Sequence, residues 1–587
     1  IAESEGRYTA TIPNALYGPG EMVRYFITAR DEEGRSARWP LYHDPANSAQ
    51  YLGTMAVDPD VESQLPVLYW FVEDPYAATT DAGARASLYY VPRTPSGGPP
   101  PVGSFYDNLF VRRRGVTSKS QPKKSFKFDF NQGEFYAWAT DQPPVEEFNL
   151  ISTYNDKAYI RQPLAWETYR DAGVPYCTSF PVRVQQNGEF YSVAIWLEHP
   201  GPRYLERQGL DPEGALYKVN LNAFDSATKG VDKLTRLDED ESDLQAAIDG
   251  VHQEGAERTR FLLDHFDLPA LVNLMATTTL VGDRDWGHKN VYIYRDTRGT
   301  GEWTLLPWDK DLTFGRQYLP DQGGTLNDVI WADHDPESHP LQGYTSNDLL
   351  DALLDTPMIR EMYLRRLRTL MDQLLQPPGT PPRQRDYERR IDALYAQMRQ
   401  DVHLDAERWP ANWGQPQTFE QALEILKVEY LAARRVHLYQ AHGPGIDAGP
   451  EPTSSLIPGP QPARPQIEFG EQEANPPSGD QDEEYLTLVN RGEVAIDLSG
   501  WTLSHDVAYT FAPGVVLPAG ETLYLSPDVV AFRGRGASPT GGEGRFVQGN
   551  YRGNLSNRWG VLTLNDARGR AVARKLFISL EFSQPVP

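Results

Sequence analysis

The stretch GDRDWGHKNVYIYRDTRGTGEWTLLPWDKDLTFG, residues 282–315, decides how the central part of this sequence folds. It contains five aspartates and two apolar runs, NVYIY and EWTLLPW, separated by a glycine-rich turn. Two such runs around a turn predict a β-hairpin. A hairpin returns the chain, so Asn290 at the start of its first strand is expected beside Asp309 at the end of its second. Asp285, in the preceding loop, is expected at the same end.

These three side chains have the chemistry of a divalent-metal site. Carboxylate and amide oxygens that converge suit Mg²⁺ or Mn²⁺. Protein kinases place a catalytic Asp, an Asn five residues further on and a metal-binding Asp around a similar hairpin. The spacing from Asp285 to Asn290 matches that loop, although Asp283 replaces the usual His and DKDLTFG replaces the usual DFG. A solvated acidic turn is the alternative, and the residues alone leave Asp283 and Asp311 unassigned.

A kinase-type site also needs a lysine on a strand to align the phosphates of the nucleotide. The segment KKSFKFDF, residues 123–130, offers Lys124 and Lys127. Its three phenylalanines share one face, which is expected to be core, while Lys127 lies on the other face and Lys124 at the entrance. Either lysine is a candidate for phosphate binding, and a solvated edge with protective lysines is the alternative. No GxGxxG motif precedes them.

The chain divides by composition into four parts. Residues 65–440 begin rich in strand patterns and end rich in helix patterns, which predicts two lobes with a cleft between them. Residues 441–466 form a linker rich in Pro and Gly. Residues 467–580 show short strands typical of an immunoglobulin-like β-sandwich. Residues 1–60, with strands expected over 7–13 and 22–35, are interpreted as the end of a truncated immunoglobulin- or fibronectin-like sandwich, or else as a hairpin of the next domain.

Composition excludes several classes of protein. The 587 residues carry a formal net charge of −25, which argues against a nucleic-acid partner. Cys177 is the single cysteine, so no internal disulfide is expected. No apolar run is long enough for a membrane-spanning helix. No export signal is visible, and we expect that one preceded residue 1.

Six segments together resemble the CotH family of atypical kinase-like proteins, named after spore coat protein H. In order they are RRRGVTSKSQPKKSFKFDF, EFNLISTYNDKAYIRQPLAWE, FYSVAIWLEHP, GALYKVN, GDRDWGHKN and LLPWDKDLTFG. The similarity covers roughly residues 65–440. It implies an atypical protein-kinase-like core, ATP with Mg²⁺ or Mn²⁺, and phosphoryl transfer to Ser or Thr of a protein.

The resemblance also implies roles for individual residues. Asp285 would be catalytic, and Asn290 and Asp309 would bind metal. Asp311 would be a second metal ligand or a structural acid. Lys124 and Lys127 would contact phosphates.

Three further residues look like cleft residues of the family. Arg161 and Lys218 would line the cleft, and Glu198 would lie near the interlobe hinge or the adenine. A structural salt bridge is the alternative for each of them. Ser192 and Val193 stand where the family's strand has a small residue, which weakens the role of Glu198.

The C-terminal segment EEYLTLVNRGEVAIDLSGWTLS is similar to lamin-tail-type domains, in which Trp501 is expected to be core. The resulting fold class is a multidomain α+β protein with β-sandwich modules around the kinase-like core. The predicted function is an atypical bacterial protein kinase acting on exported or cell-surface proteins. A non-catalytic extracellular scaffold, with cell-surface or carbohydrate-associated partners, is the alternative. A sugar transferase using the D-x-D at Asp309 ranks third.

Overall fold

The computed structural model describes residues 8–41, 50–93, 102–283, 285–319, 325–328, 347–410, 417–444 and 457–578. Within these ranges, helices and strands alternate in blocks rather than in a regular repeat. Among the residues described, we find no helix with both the length and the apolar character to cross a membrane.

The first large unit is a closed β-barrel. Its strands are β5 (Val67–Val72), β6 (Ala84–Val91), β7 (Ser104–Arg114), β8 (Ser125–Asp129), β9 (Glu147–Ser152), β10 (Ser179–Gln186) and β11 (Glu189–Glu198). They follow the order β10-β11-β9-β8-β7-β6-β5, and a parallel pairing of β10 with β5 closes the barrel. The predicted turn at Asn187 and Gly188 joins β10 to β11, and Asn187 lies in the left-handed region with φ 51°.

Aromatic side chains fill the barrel. Trp70, Phe128 and Trp196 are each 0% exposed. The Phe128 and Phe148 rings stack with centroids 4.9 Å apart. Alternation along β8 turns its phenylalanines inward and leaves Lys127 half-buried on the outer face, which confirms the predicted assignment of faces.

A second sheet follows the barrel. Its strands are β12 (Ala215–Val219), β13 (Val231–Lys233), β14 (Val291–Arg295) and β15 (Trp303–Pro307), in the order β13-β12-β14-β15. The predicted hairpin is confirmed, because β14 and β15 pair antiparallel with Val291 opposite Pro307. A short ladder of β16 (Arg316–Leu319) and β17 (Thr325–Asp328) comes next.

Helices surround this sheet. They are α1 (Pro75–Ala78), α2 (Arg161–Ala172), α3 (Pro202–Arg207), α4 (Ser242–Val251), α5 (Gly255–His265), α6 (Leu268–Val281), α7 (Asp348–Asp355), α8 (Pro357–Leu370), α9 (Asp386–Arg408), α10 (Phe419–Glu424) and α11 (Ala432–Val436). The last helical stretch is interrupted by π-helical turns at Ile425–Leu431 and His437–Ala441. Helix α9 reaches the barrel, where Asp401 pairs with Arg183 of β10 at 2.9 Å.

The N-terminal segment is a set of short pairings. Strand β1 (Met22–Tyr25) pairs with β4 (Leu52–Met55), and β2 (Ile27–Arg30) pairs with β3 (Ser36–Trp39). The strand expected over 7–13 is wrong, because the described residues 9–13 form no strand and are exposed. Alternation alone does not make a strand, because a strand also needs a ladder of hydrogen bonds to a neighbouring strand.

The C-terminal region is built from short strands. They are β18 (Ile467–Glu473), β19 (Tyr485–Asn490), β20 (Ile496–Asp497), β21 (Thr502–His505), β22 (Val507–Thr510), β23 (Val516–Leu517), β24 (Thr522–Ser526), β25 (Phe546–Gly549), β26 (Arg552–Gly553), β27 (Trp559–Asn565) and β28 (Ala571–Ile578), with α12 (Val529–Arg533) between β24 and β25. Its sheets follow the orders β18-β19-β24-β25 and β26-β22-β21-β27-β28. Trp501 is 4% exposed, so its predicted core position is confirmed.

Buried ion pairs join this region to the helices and the second sheet. Arg366 of α8 contacts Asp497 at 3.1 Å, and both side chains are at most 4% exposed. Arg533 of α12 contacts Glu302, which precedes β15, at 2.5 Å. Apolar residues of both regions also belong to one continuous core.

Candidate functional site

Helix α6 ends just before the loop that forms the candidate site. The Asp267 side chain accepts a hydrogen bond from the amide of Ala270 at 3.0 Å, which caps the helix. The helix ends at Gly282, whose φ of 64° is left-handed and suits glycine. The following loop carries Asp283 and Asp285 and leads directly into β14.

Asn290 and Asp309 meet at the open end of the hairpin. The amide of Trp308 donates to the carbonyl of Asn290 at 2.9 Å, so the two residues lie side by side as predicted. Both adopt left-handed backbone conformations, with φ 58° for Asn290 and 52° for Asp309. Asn and Asp tolerate this region best among residues with a β-carbon, and such backbone strain concentrates at functional sites.

The loop holds Asp285 from several directions. The side-chain nitrogen of Asn290 donates to the backbone carbonyl of Asp285 at 2.7 Å. The side-chain oxygen of Asn290 is therefore the atom suited to a cation. Lys289 Nζ lies 3.1 Å from Asp285 Oδ1, and His288 Nε2 lies 3.7 Å from the same oxygen. The Asp285 side chain is 20% exposed, so solvent and a substrate have limited access to it.

The DKD segment alternates between cleft and core. Asp309 is half-buried, Lys310 is buried and Asp311 is exposed. Burial and the carboxylate of Asp309 raise the pKa of Asp311 to about 8, with Arg316 opposing the rise. Asp311 is thus exposed at its surface yet closely surrounded by protein and by the further acids Asp285 and Asp283, and a cation there would be stabilised.

Of the two candidate lysines, Lys127 contacts two acidic side chains on the outer face of the barrel. Its Nζ contacts Glu147 and lies 3.1 Å from Asp129 Oδ1, and its side chain is 16% exposed. Lys124 points elsewhere, because its Nζ donates to the carbonyl of Lys119 at 2.7 Å. The two lysines therefore occupy different surroundings.

Arg114, at the end of β7, connects the barrel to the hairpin. Its guanidinium carbon lies 5.7 Å from the centroid of the Trp308 ring. Burial lowers the pKa of Arg114, while the nearby carboxylates of Asp309 and Asp311 oppose that change. A barrel cation and the hairpin acids thus share one electrostatic environment.

His199, just after β11, lies on the same side as these cations. Its ring meets Trp308 edge-on, with centroids 5.8 Å apart. Burial, followed by the positive charges of Lys127, Arg114 and Lys218, lowers the pKa of His199 to about 3. The imidazole is therefore neutral at physiological pH, and these three cations lie close enough to act on it.

Arg161 lies behind the hairpin acids. Its side chain is 1% exposed, with Nη1 2.6 Å from Asp156 Oδ1 and Nε donating to the carbonyl of Phe314 at 3.3 Å. Burial alone would raise the pKa of Asp156, but Arg161 and Arg316 hold it below its usual range. Arg161 thus ties the DLTFG segment to helix α2.

Glu198 is also held inside the protein. Its carboxylate is 2% exposed and accepts two hydrogen bonds from Arg207, at 2.9 Å and 2.5 Å. A third comes from the amide of Thr178 at 2.9 Å. Lys218, by contrast, is half-buried on β12 opposite Tyr292 and contributes to the positive field at His199.

The side-chain oxygens of this site determine which metal ion it could hold. In the described parts of the chain, no three His, Cys, Asp and Glu side chains are grouped closely enough to hold one. Mg²⁺ differs from zinc in using one or two carboxylates together with the phosphates of a substrate. The oxygens of Asn290 and Asp309, beside Asp311, fit that requirement in their chemistry.

Sequence reasoning missed several residues of this cleft. His199 and Glu147 lie in segments that were quoted only as part of the resemblance. Lys289 follows Asp285 at a spacing of four, which is a local signal that could have found it. The contact of Lys127 with Glu147 joins neighbouring strands separated by a long connection, so no local spacing reports it.

Two family models match the chain. One, described as CotH kinase protein, covers residues 111–438. The other, described as Lamin Tail Domain, covers residues 460–575.

Individual proteins also match parts of the chain. The inner spore coat protein H of Bacillus subtilis (strain 168) is 24% identical over 344 residues, which cover 56% of this chain and 86% of that protein. Among solved structures, the crystal structure of a Helicobacter pylori proinflammatory kinase, CtkA, matches at 12% identity with a TM-score of 0.19, covering 51% of this chain and 94% of that one. Because the CotH kinase model spans more than half of the sequence, the chain belongs to the CotH kinase protein family.

Proposed function

We propose that this protein is an atypical protein kinase that transfers the γ-phosphoryl group of ATP to a Ser or Thr hydroxyl of another protein. The observation that carries the proposal is the meeting of Arg114, from the barrel, with Trp308 and the acids beside it. Positive charge for phosphates and oxygens for a cation then face one cleft. Membership of a kinase family supports the same reading.

The proposed architecture has two lobes. The barrel would be the nucleotide-covering lobe, and the second sheet with its helices would be the catalytic lobe, within residues 65–440. Residues 441–466 would link it to an immunoglobulin-like module at 467–580. Residues 1–60 would contribute the end of another β-sandwich.

On the nucleotide side, Lys127 is proposed to align the phosphates. Glu147 and Asp129 hold its ammonium group in place, as an ion pair does for the phosphate lysine of kinases. Arg114 and Lys218 add positive charge around His199. Lys124 is directed toward Lys119 and is not proposed as a phosphate contact.

On the metal side, Asn290 and Asp309 are the proposed ligands, with Asp311 beside them. A bound Mg²⁺ or Mn²⁺ would supply charge neutralisation at the β- and γ-phosphates. The left-handed backbones of Asn290 and Asp309 keep the two side chains at the same end of the hairpin. Oxygen-only donors of this kind favour these cations over zinc.

Asp285 is proposed to orient the acceptor hydroxyl and to take up its proton. As the hydroxyl oxygen bonds to the γ-phosphorus, the bond to the β–γ bridging oxygen breaks and ADP leaves. Lys289, 3.1 Å from the Asp285 carboxylate, fixes that carboxylate and balances its charge. Positioning and electrostatics supply most of the catalysis in such transfers.

Arg161 and Glu198 are proposed to act as supports. Arg161 holds the Phe314 carbonyl behind the acids, and Glu198 holds Arg207 near the end of β11. Neither needs to touch ATP to matter, because both keep cleft segments in register.

The Bacillus subtilis relative is a spore coat protein by name, and we propose exported or cell-surface proteins as substrates and an extracellular or surface location.

The test is phosphate transfer from γ-labelled ATP to a generic protein acceptor with Mg²⁺ or Mn²⁺, in wild type and in Asp285→Asn. Asp296→Asn is the matched control, because Asp296 lies in the far turn of the same hairpin and accepts from the amide of Thr300 at 2.9 Å. Transfer should be lost in the first variant and kept in the second. Nucleotide binding is measured in parallel by thermal stabilisation. If the wild type shows no phosphate transfer and no thermal stabilisation by ATP, the proposal is contradicted and the non-catalytic scaffold is favoured.

A further inference from the structure

A buried ion pair lies beneath the candidate site. Lys310 Nζ is 2.6 Å from Asp283 Oδ2, and both side chains are 0% exposed. Lys310 separates Asp309 from Asp311, and Asp283 lies two residues before Asp285. The pair therefore joins the two segments that carry the proposed catalytic and metal-binding acids.

The pair dictates which way the neighbouring acids point. This segment is not a regular strand, because β15 ends at Pro307 and Asp309 has a left-handed φ of 52°. Lys310 is buried, Asp309 is half-buried and Asp311 is exposed. If Lys310 turned outward, both aspartates would lose this orientation.

Asp283 acts in the same way on the other segment. Its Oδ2 meets Lys310, and its Oδ1 accepts a hydrogen bond from the backbone amide of Asp285 at 3.1 Å. One carboxylate thus fixes both the lysine and the backbone of the proposed catalytic residue. Burial raises the pKa of Asp283, and Lys310 is the principal charge that opposes this rise.

Main-chain bonds support the two segments on either side of the pair. The Trp308 amide donates to the carbonyl of Asn290, and the Phe314 amide donates to the carbonyl of Val281, both at 2.9 Å. These bonds hold the backbones together before and after the DKD segment. The ion pair lies between them and controls side-chain direction.

We propose that Asp283 and Lys310 are positioning residues, which set the placement of Asp285 relative to Asp309 and Asp311 without touching ATP or the acceptor. The kinetic part of this inference rests on the proposed kinase function. The structural part rests on the fold alone.

The test replaces both charges with side chains of similar size in Asp283→Asn/Lys310→Met. Removing both partners leaves no unpaired buried charge. Asp401→Asn/Arg183→Met is the matched control, because that pair is also buried, with an N–O distance of 2.9 Å and side chains at most 7% exposed, but joins α9 to β10 of the barrel. We measure kcat, KM for ATP and the hydrogen exchange of the amides of Asp285, Trp308 and Phe314.

A positioning role predicts that kcat falls by about a hundredfold in the site variant, since small misplacements of reacting groups have effects of that size. KM for ATP should change by less than about threefold, because ground-state binding is retained. The amides of Asp285, Trp308 and Phe314 should exchange faster. The control variant should change neither kcat nor these amides.

Wild-type kcat together with wild-type exchange in the Asp283→Asn/Lys310→Met variant would overturn the inference. If the wild type transfers no phosphate, the proposed function fails, and the exchange of the same amides still decides whether the pair positions the segments. If the double variant does not fold, Asp283→Asn alone is measured by the same criteria. That variant keeps an oxygen to accept from the Asp285 amide and removes only the charge.

Discussion

Lys127→Met is the most discriminating change at this site, because the sequence offered two lysines and the structure separates them. Methionine keeps the apolar stem of the side chain and removes the ammonium group. Lys127 contacts Glu147 and Asp129 on the outer face of the barrel, while Lys124 bonds to a carbonyl of the preceding turn. The same substitution at Lys124, the residue just before that strand, is therefore a matched control.

The loss of stability expected in Lys127→Met follows from the burial of the side chain and the charge that it loses. The Lys127 side chain is 16% exposed and its partners are about twice as exposed. Exposed pairs contribute about 0–1 kcal/mol and broken buried pairs cost about 3–5 kcal/mol, so we expect a loss of about 1–2 kcal/mol in the free energy of unfolding. The protein should remain folded at room temperature.

The catalytic loss should be larger. Removing one preorganised donor to a transition-state oxyanion raises the barrier by about 3 kcal/mol, which is roughly 150-fold in rate. Lys124→Met loses one hydrogen bond to the Lys119 carbonyl, a contribution of about 1 kcal/mol to stability. Its transfer rate should stay within about threefold of wild type.

The assay is ATP-dependent phosphate transfer at saturating Mn²⁺, normalised to folded protein by circular dichroism. Urea unfolding of both variants separates the loss of stability from the loss of chemistry. A hundredfold loss in Lys124→Met, with near-normal transfer in Lys127→Met, would refute the assignment of the phosphate contact. Equal small losses in both would show that neither lysine aligns the nucleotide.

Three other outcomes are expected. Asp309→Asn keeps the volume and removes a ligand charge, so transfer should fall by about a hundredfold or more, and full transfer would refute its role. Glu198→Gln leaves Arg207 buried without its carboxylate, so the free energy of unfolding measured in urea should fall by about 3–5 kcal/mol. The KM for ATP should not change. A raised KM without lost stability would instead make Glu198 a nucleotide contact. Burial raises the pKa of Glu302 from 4.5 to about 7, so the folded protein holds a proton that the unfolded chain releases, and stability should fall as pH rises through that window. Urea midpoints at pH 5 and pH 8 should differ less in Glu302→Gln than in wild type, and an unchanged difference would contradict the assignment.

The part of the site that the sequence predicted is the part governed by local geometry. Pairing in a hairpin is set by its turn, so the meeting of Asn290 with Asp309 follows from two apolar runs and a glycine-rich connection. The end of α6 at Gly282 and its cap at Asp267 are equally local. Each of these features is confirmed.

The partners of charged side chains were less accessible to sequence reasoning. Arg161 and Glu198 were expected in the cleft, with structural salt bridges as the alternative, and the structure places both in buried pairs with Asp156 and Arg207. The pairing partner of a strand is also non-local. The exposed segment 9–13 shows this, since an alternating pattern alone did not make it a strand.

The burial of Lys310 bears on how acid-rich segments should be interpreted. A lysine between two aspartates suggests a solvated turn, and in such a turn the lysine would need no partner. Here the lysine is 0% exposed, and burying an ammonium group is unfavourable unless a carboxylate compensates. Asp283 supplies that carboxylate from a different segment, while Asp309 stays half-buried and Asp311 exposed. A buried cation flanked by outward acids is therefore a stronger sign of a built site than the number of acids, because a solvated loop gives no physical reason for the pair to form.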